Sequence, residues 1–386
     1  MSRSPDSLPS GSLREVAALF LKLGVIAFGG PAAHIALMRE EVVRRRRWIS
    51  DQHFLDLLGA SNLIPGPTST ELAIYLGYVR AGWQGLVLAG VLFIAPAMLI
   101  VLAFAWVYAG YGSTPGAAWA LYGIKPAVIG IVAIALWGLV KTAVKSRLTA
   151  AVGLAALVSF LLGINPIAIL FGGGVVMLLH RRLKAPGALS LAALALPAAA
   201  VSHVAAPMPY SLGLLGLYFL KIGAVVYGSG YVLLAFLRAD FVERLRWLTD
   251  DQLIDAVAVG QFTPGPVFTT ATFIGYLVGG LPGALVATVA IFIPSFLCVA
   301  AVSALLPRLR RAAATGAVLD GVNVAALGLM AGVTWQLARA AVVDGPTAAL
   351  AVLATVALAR WKINSAWLIA GGAVIGLGVH LLGWPR

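Results

Sequence analysis

The hydrophobic and polar positions of this chain form long apolar blocks, interrupted by two similar polar stretches that contain prolines. The first runs from Asn62 to Thr70 and the second from Gln261 to Thr269. In each, an amide side chain is followed three residues later by Pro-Gly-Pro. Proline lacks an amide hydrogen, its ring blocks the helical bond one turn back, and the residue before it avoids helical geometry. The pattern therefore predicts helices that stop and restart at both stretches.

The other apolar blocks also predict helices, several of them long enough to span a membrane. In the first half of the chain they are Leu13 to Val43 with a break at Gly29-Gly30-Pro31, Phe54 to Leu63 with a cap at Ser50 or Asp51, Leu86 to Tyr108, Ala117 to Val140, and two short runs between Leu148 and Leu179. Long continuous apolar segments are typical of membrane helices rather than of barrel strands.

Composition supports the same fold class. The 386 residues are 61% hydrophobic and 11% charged, whereas soluble domains carry roughly a quarter charged residues. The sequence thus predicts an all-α polytopic membrane protein. The net charge of +13 is interpreted as topology, because basic residues collect in cytoplasmic loops, and no nucleic-acid partner is expected. The single cysteine and scattered histidines predict no disulfide, metal site or cofactor.

The second half of the chain repeats the first. Lys22 and Lys221, Gly29 and Gly228, and Trp48 and Trp247 are each 199 residues apart, and after Pro-Gly-Pro the offset becomes 198, as in Pro96 and Pro294. Such self-similarity indicates an internal duplication. We therefore expect a disordered tail at 1–12, a first repeat at 13–184, a linker transmembrane helix at 185–209 and a second repeat at 210–386.

Loop charges predict how the two repeats are oriented. Basic residues flank the first-repeat helices at 44–47, 80, 141–147 and 180–184, whereas in the second repeat they occupy the loops that correspond to neutral first-repeat loops, at 308–311 and 360–362. The positive-inside rule then predicts an inverted repeat with a cytoplasmic N-terminus and a periplasmic C-terminus. We expect two re-entrant hairpins per repeat, with kinked spanning helices as the alternative.

The breaks are candidate anion sites, because a restarted helix presents free amide hydrogens at its positive end. Nearby hydroxyl and amide side chains add donors. The candidate residues are Gly29, Gly30, Pro31, Asn62, Pro65, Gly66, Pro67, Thr68, Ser69, Gln261, Thr263, Pro264, Gly265, Pro266 and Thr269. Alternatively, the breaks only allow helices to pack closely.

Three charged residues in apolar surroundings are further candidates. A lysine at membrane depth costs roughly 2.5–3.5 kcal/mol on insertion scales, so Lys22 and Lys221 suggest two cations that bind a dianion. The alternative is that they extend to the membrane interface. Glu71 is the candidate proton carrier; it could instead pair with Lys22 or Lys125, or cap the restarted helix.

The motif Phe28-Gly29-Gly30-Pro31-Ala32-Ala33-His34-Ile35, with Glu41, Trp48, Pro65-Gly66-Pro67 and Gly77-Tyr78, resembles the chromate ion transporter family and its long-chain members. The resemblance implies a secondary active transporter that exports chromate, a tetrahedral dianion, across the inner membrane under the proton-motive force and so confers chromate resistance. It implies roles for Gly29, Gly30, Pro31, His34 and Pro65-Gly66-Pro67. In the second repeat Gly228 is kept, but Ser229 and Gly230 replace the Gly-Pro.

The expected partners are therefore chromate or a related oxyanion, protons and the lipid bilayer, with a homodimer as one possible assembly. Three other functions remain open. The chain could transport another oxyanion such as sulfate or molybdate, including by import. It could be a membrane-embedded chromate reductase, although it contains no Cys/His cluster or dinucleotide-binding loop. It could also be a passive channel.

Overall fold

The computed structural model describes residues 12–28, 30–183, 209–227, 230, 232–309, 313–361 and 363–381. Across these ranges the chain forms fourteen α-helices and no β-strand. The expected tail at 1–12 and linker helix at 185–209 lie outside the described residues except at Ser12 and Pro209, and so do Gly29 and Gly228.

Seven helices form the part of the chain that precedes the linker. A π-helical segment, Glu40–Arg45, continues the second of them. The seven are α1 Leu13–Ile26, α2 Gly30–Arg39, α3 Asp51–Ser61, α4 Thr68–Tyr111, α5 Pro115–Ala143, α6 Arg147–Leu161 and α7 Pro166–Leu183.

The seven helices after the linker follow in the same order. A π-helical segment, Arg238–Arg244, again continues the second helix, and a 3₁₀ turn, Val267–Thr269, precedes the fourth. The helices are α8 Leu212–Val225, α9 Leu233–Leu237, α10 Asp250–Phe262, α11 Thr270–Leu309, α12 Ala313–Ala341, α13 Gly345–Trp361 and α14 Ser365–Leu381.

Helix lengths fit a membrane protein. Among the described residues, four helices are long and apolar enough to cross a membrane: Thr68–Tyr111, Pro115–Ala143, Val267–Ser303 and Gly316–Ala341. By contrast, α3 has 11 residues and is about 16 Å long, roughly half of the hydrocarbon core. The predicted all-α polytopic membrane protein is confirmed.

Local sequence signals place several helix starts. The Ser50 hydroxyl accepts a hydrogen bond from the His53 amide at 3.2 Å and caps α3. Of the two expected caps, Ser50 and Asp51, the structure therefore shows Ser50. In the second repeat Thr249 caps α10 in a reciprocal arrangement with Gln252. These caps satisfy amide groups that have no partner within the helix.

The two longest helices are each bent sharply at the same relative position. The kink in α4 falls at Ala81 and Gly82, and the kink in α11 falls at Gly279 and Gly280. A Cβ on Gly77 would lie 2.3 Å from the carbonyl oxygen of Gly85, so the two arms of α4 touch closely beside the kink. Each long helix is thus a short restarted arm followed by a spanning arm.

The two repeats are interleaved rather than side by side. Helix α5 of the first repeat packs against α13 and α14 of the second, whereas α12 of the second packs against α6 and α7 of the first. The first helix of each repeat packs on the long helix of its own repeat, α1 on α4 and α8 on α11, and α4 also packs on α11. Neither repeat therefore has a complete core without the other.

One pair of equivalent helices is packed differently in the two repeats. The interleaved helices α5, α6, α7, α12, α13 and α14 are called the panel below. Helix α10 lies against three of them, α5, α12 and α14. Its equivalent, α3, makes its principal contacts with α4 and α11. The second repeat's short helix is thus docked on the panel in a way that the first repeat's is not.

Candidate functional site

The expected helix breaks are present in the described residues. Helix α3 ends at Ser61 and α4 begins at Thr68; α10 ends at Phe262 and its 3₁₀ restart begins at Val267. We call the first two helices of each repeat, with the π-helical segment that follows them, a hairpin. In the first hairpin, α1 ends at Ile26 and α2 begins with Gly30 and Pro31. The prediction of stops and restarts is confirmed.

Each Pro-Gly-Pro break is hydrogen-bonded to the first hairpin of the other repeat. The Gly66 amide donates to the carbonyl oxygen of Val226 at 2.8 Å, and the Gly265 amide donates to that of Ala27 at 2.9 Å. Ala27 directly follows α1 and Val226 directly follows α8. The two bonds join equivalent residues, so the four interrupted chain segments are linked reciprocally, next to the contact between α4 and α11.

Both central residues of the Pro-Gly-Pro motifs require glycine. Gly66 has φ +132° and Gly265 has φ +89°, a region that other residues rarely adopt. A Cβ on Gly66 would lie 2.3 Å from Glu71 Oε1 and 2.4 Å from Ser295 Oγ. The close approach of the Glu71 and Ser295 side chains to the first break therefore depends on a glycine there.

The restarted helices present their N-terminal ends at these breaks. In α4 the first amides that bond back to Pro67 are those of Thr70 at 2.8 Å and Glu71 at 3.1 Å. The amides of Thr68 and Ser69 therefore precede the helical ladder, at the positive end of α4. At the second restart, the Thr269 hydroxyl donates to the Pro266 carbonyl at 2.8 Å. It does not act as a free donor in this conformation.

His34 bridges the two helix interruptions of the first repeat. Its Nε2 lies 3.0 Å from the carbonyl oxygen of Ala27, and its Nδ1 lies 3.2 Å from Ser69 Oγ. Because a carbonyl oxygen only accepts, Nε2 carries the hydrogen, and in the neutral ring Nδ1 accepts from the serine hydroxyl. The buried ring also packs edge-on against Phe93 at 5.6 Å. His34 thus connects the end of α1 to the restart of α4.

Glu71 is fully buried one turn into α4. Its Oε1 accepts a long hydrogen bond, 3.5 Å, from Ser295 Oγ, and its Oε2 has no hydrogen-bond partner among the described residues. The alternative that Glu71 pairs with Lys22 or Lys125 is not supported by the structure. Those lysines lie nearer to other carboxylates, since Lys22 donates to Glu41 at 2.7 Å and Lys125 to Asp251 at 2.5 Å.

Lys22 and Lys221 are bound at equivalent places in the two repeats. Lys221 donates to Asp240 at 2.6 Å, as Lys22 does to Glu41. Glu41 and Asp240 lie in the two π-helical segments, on the returning arm of each hairpin. The structure therefore places both ammonium groups against carboxylates of their own hairpin and not against the Pro-Gly-Pro residues. Sequence reasoning named Glu41 only as part of the family motif and did not recognise either acid as a lysine partner, although the two acids also recur 199 residues apart.

The surroundings of the two breaks differ in exposure. In the first break Asn62 is exposed and Pro65 is half-buried, whereas Gln261, Thr263 and Pro264 of the second break are buried. The Thr68 hydroxyl lies 3.5 Å from the Asn62 side-chain oxygen. The first break is open on one side and the second is enclosed, which matches the docking of α10 on the panel.

A second polar cluster surrounds Asp255, which is also buried. Asp255 accepts a hydrogen bond from the Tyr108 hydroxyl at 2.8 Å, and its Oδ1 lies 3.8 Å from Lys125 Nζ. Tyr108 and Asp255 border an apolar cavity of about 360 Å³ that reaches Phe262 beside the second break. The equivalent residue, Asp56, is only half-buried. No group of three or more His, Cys, Asp or Glu among the described residues is arranged to hold a metal ion.

Comparison with known proteins gives a consistent family assignment. The family model described as "Chromate transporter" matches residues 14–178 and again residues 213–377. The "Chromate transport protein" of Cupriavidus metallidurans is 38% identical over 386 residues, which cover 98% of this chain and 96% of that protein. The "Probable chromate transport protein" of Synechococcus elongatus is 35% identical, with 94% of each chain covered.

A third relative, the "Chromate transport protein" of Pseudomonas aeruginosa, is 32% identical over 97% of this chain and 93% of its own length. No solved structure matches the chain.

Proposed function

The chain belongs to the chromate transporter family, and on that premise we propose that it is a secondary active transporter that exports chromate. The proposed route crosses the bacterial inner (plasma) membrane, is driven by the proton-motive force and confers chromate resistance. The relatives named for chromate transport align with nearly the whole chain, which supports chromate as the substrate.

The observation that carries the mechanism is the reciprocal bonding of the two Pro-Gly-Pro breaks. Gly66 and Gly265 bond to the ends of α8 and α1, so both helix restarts are held in the protein interior. We place the oxyanion at these restarts. The amides of Thr68 and Ser69 supply donors there, and the positive ends of α4 and α11 favour an anion. Binding sites at broken helices are typical of transporters with inverted repeats.

The lysines take a different place in this proposal. Lys22 and Lys221 would have to leave Glu41 and Asp240 before they could reach an anion. The proposed site therefore relies on backbone amides and hydroxyls. Lys22→Ala and Lys221→Ala test a direct role, which would require that folded variants lose anion binding.

The unequal packing of the repeats supports alternating access. If the repeats are inverted, as the loop charges predict, then undocking α10 from the panel and docking α3 in its place would exchange the open and enclosed breaks. Export of a dianion from an inside-negative cell is electrically favourable by about 4.6 kcal/mol at 100 mV. The membrane potential therefore supplies a driving force even without proton exchange.

The test is chromate uptake by inverted membrane vesicles, in which export appears as accumulation. Gly66→Ala should reduce uptake to the level of vesicles without the protein, because the new Cβ collides with Glu71 and Ser295. Gly59→Ala is the matched control, since a Cβ on Gly59 has no atom within 4 Å.

Normal uptake by Gly66→Ala at equal protein levels would contradict the proposed site. Right-side-out vesicles that accumulate chromate would indicate import instead. Competition by sulfate and molybdate ranks the oxyanions. Uptake that follows the membrane potential but does not change when only the pH difference is removed would indicate a passive channel.

A further inference from the structure

Glu71 lies in a polar pocket that is assembled from both repeats. Ser295 reaches it from α11, and Tyr75 lies one turn further along α4. Cys298 and Tyr227 are further polar residues near Glu71. Tyr227 directly follows Val226, which accepts the hydrogen bond from Gly66. The pocket therefore adjoins the first Pro-Gly-Pro break.

Several polar atoms in this pocket have no partner. Among the described residues, Glu71 Oε2 and the Tyr75 hydroxyl are buried and accept or donate no hydrogen bond, and the same holds for the hydroxyl of Thr70, the residue before Glu71. Burying such groups without partners is costly. A cluster of them beside a helix restart points to a ligand or proton that completes the hydrogen bonding.

The equivalent position, with the roles of the two repeats exchanged, has no such set of polar residues. The equivalents of Tyr75, Tyr227, Ser295 and Cys298 are the apolar residues Phe273, Phe28, Ala97 and Ile100, and the acid itself is replaced by Thr269 or Thr270. The hydroxyls of both threonines are already bonded to carbonyl oxygens of their own turn. The symmetric position is thus neutral and satisfied.

No charged side chain in the part of the chain that the structure describes neutralises Glu71. Among the described residues it forms no ion pair; on α1, which packs against α4, Lys22 is bonded to Glu41 and Glu15 to Arg80. From α2, His34 reaches the neighbouring Ser69 with Nδ1. The titratable groups of α3, namely Asp51, His53 and Asp56, lie in its first two turns at the end away from the break. Whether Glu71 is charged therefore depends on protonation of its own carboxyl and not on a neighbouring cation.

An oxyanion at the start of α4 would lie within about one helical turn, roughly 6 Å, of this carboxyl. A carboxylate and a dianion at that distance repel each other, and protonation of the carboxylate removes the repulsion. We propose that Glu71 takes up one proton when the oxyanion binds, so that proton and oxyanion are bound and carried together. This inference rests on the proposed anion site. The combined charge of dianion and proton remains negative, so the membrane-potential component of the proton-motive force still drives export, acting on one net charge instead of two, while the proton itself moves out against the pH component.

The experiment measures proton uptake on anion binding. Purified full-length protein in weakly buffered detergent solution receives sulfate, which does not titrate near neutral pH, or chromate, while pH and binding are recorded. Because burial without a nearby cation favours the neutral carboxyl, the measurement is repeated from neutral to alkaline pH. We expect the wild-type protein to take up as much as one proton per bound anion at those pH values at which the free protein holds Glu71 ionised. By linkage, its Kd should rise about tenfold per pH unit over the coupled range.

Glu71→Gln should bind the anion with no proton uptake and with a Kd independent of pH. Asp56→Asn, a matched change of a carboxylate outside the pocket, should keep the wild-type proton uptake. Ser295→Ala removes the hydrogen bond that favours ionised Glu71, so the pH dependence should move to higher pH. Ser295→Ala therefore still tests the proposal if Glu71→Gln does not fold.

The outcomes separate the two proposals. Failure of the wild-type protein to bind any oxyanion would overturn the proposed function. Binding without proton uptake, proton release on binding, or an unchanged pH dependence in Glu71→Gln would overturn the coupling at Glu71 and leave the anion site standing.

Discussion

Replacing Gly123 by alanine should separate two helices that belong to different repeats. Gly123 lies on α5 and faces Gly372 and Gly376 on α14. An alanine Cβ there would lie 1.9 Å from the carbonyl oxygen of Gly372 and 2.9 Å from the Gly376 amide nitrogen. Both obstacles are backbone atoms, so no side-chain rotation relieves the collision.

The geometry sets the size of the effect. Ordinary van der Waals contact begins at 3.4 Å, so the helices must move apart by on the order of 1.5 Å to accept the methyl group. Overpacking of a close contact typically costs 1–3 kcal/mol. We expect a value near the upper end, about 3 kcal/mol, because the displaced partner is a rigid helix backbone. That corresponds to roughly a hundredfold change in the unfolding equilibrium.

The assay is thermal unfolding of the purified protein in detergent, followed by tryptophan fluorescence. Gly138→Ala is the matched control, because Gly138 is on the same helix and a Cβ there meets nothing within 4 Å. The control should be as stable as the wild type or slightly more so, since alanine favours helix by about 1 kcal/mol over glycine. Equal unfolding midpoints for Gly123→Ala and Gly138→Ala would refute the interleaved packing of α5 and α14.

Two further predictions concern the ion pairs of the hairpins. Lys221→Ala should destabilise the protein more than Lys22→Ala, by about 1–3 kcal/mol. The reason is that Glu41 keeps a second partner, Arg46 at 3.2 Å, whereas the ion pair described for Asp240 is the one with Lys221. Equal losses of stability in urea or thermal unfolding would contradict this. The second concerns Asp51, which Arg39 contacts through two bonds of 2.7 and 2.6 Å, and which has its pKa held below the ordinary value of 3.8 by the hydrogen bond to that guanidinium. A lowered folded-state pKa stabilises the protein above the unfolded pKa, and this contribution is lost as pH falls through the folded-state pKa. Asp51→Asn should therefore be less stable than the wild type at pH 7 and equally stable in acid below the lowered pKa; a stability gap that persists there would count against the pair.

The helix breaks were predictable because their causes are local. Pro65, Pro67, Pro264 and Pro266 lack amide hydrogens wherever the chain places them, and Ser50 caps α3 through a residue three positions away. The candidate anion site at Thr68 and Ser69 follows from the same signals. The element order of the two halves likewise follows from matching residues that recur at a fixed offset.

The partners of the charged residues were not predictable in the same way. Lys22 and Glu41 meet because the hairpin returns through a π-helical segment, and nothing in the hydrophobic pattern indicates that wider turn. Lys125 and Asp251 meet across 126 residues, so the sequence alone left Lys125 open as an alternative partner of Glu71, which the structure does not support. Long-range contacts depend on how helices pack, and periodicity describes only one helix at a time.

The sequence by itself determined that this protein is helical, membrane-embedded and internally duplicated, and that its helices break at Pro-Gly-Pro. Those properties follow from composition, residue spacing and the geometry of proline. Only the tertiary structure decided that Gly66 bonds to Val226 and Gly265 to Ala27, and that α5 and α12 each pack with helices of the other repeat. It also decided that Glu71 lies buried against Ser295. Each of these contacts joins residues far apart in the chain, and their positions are fixed only when the two repeats pack together.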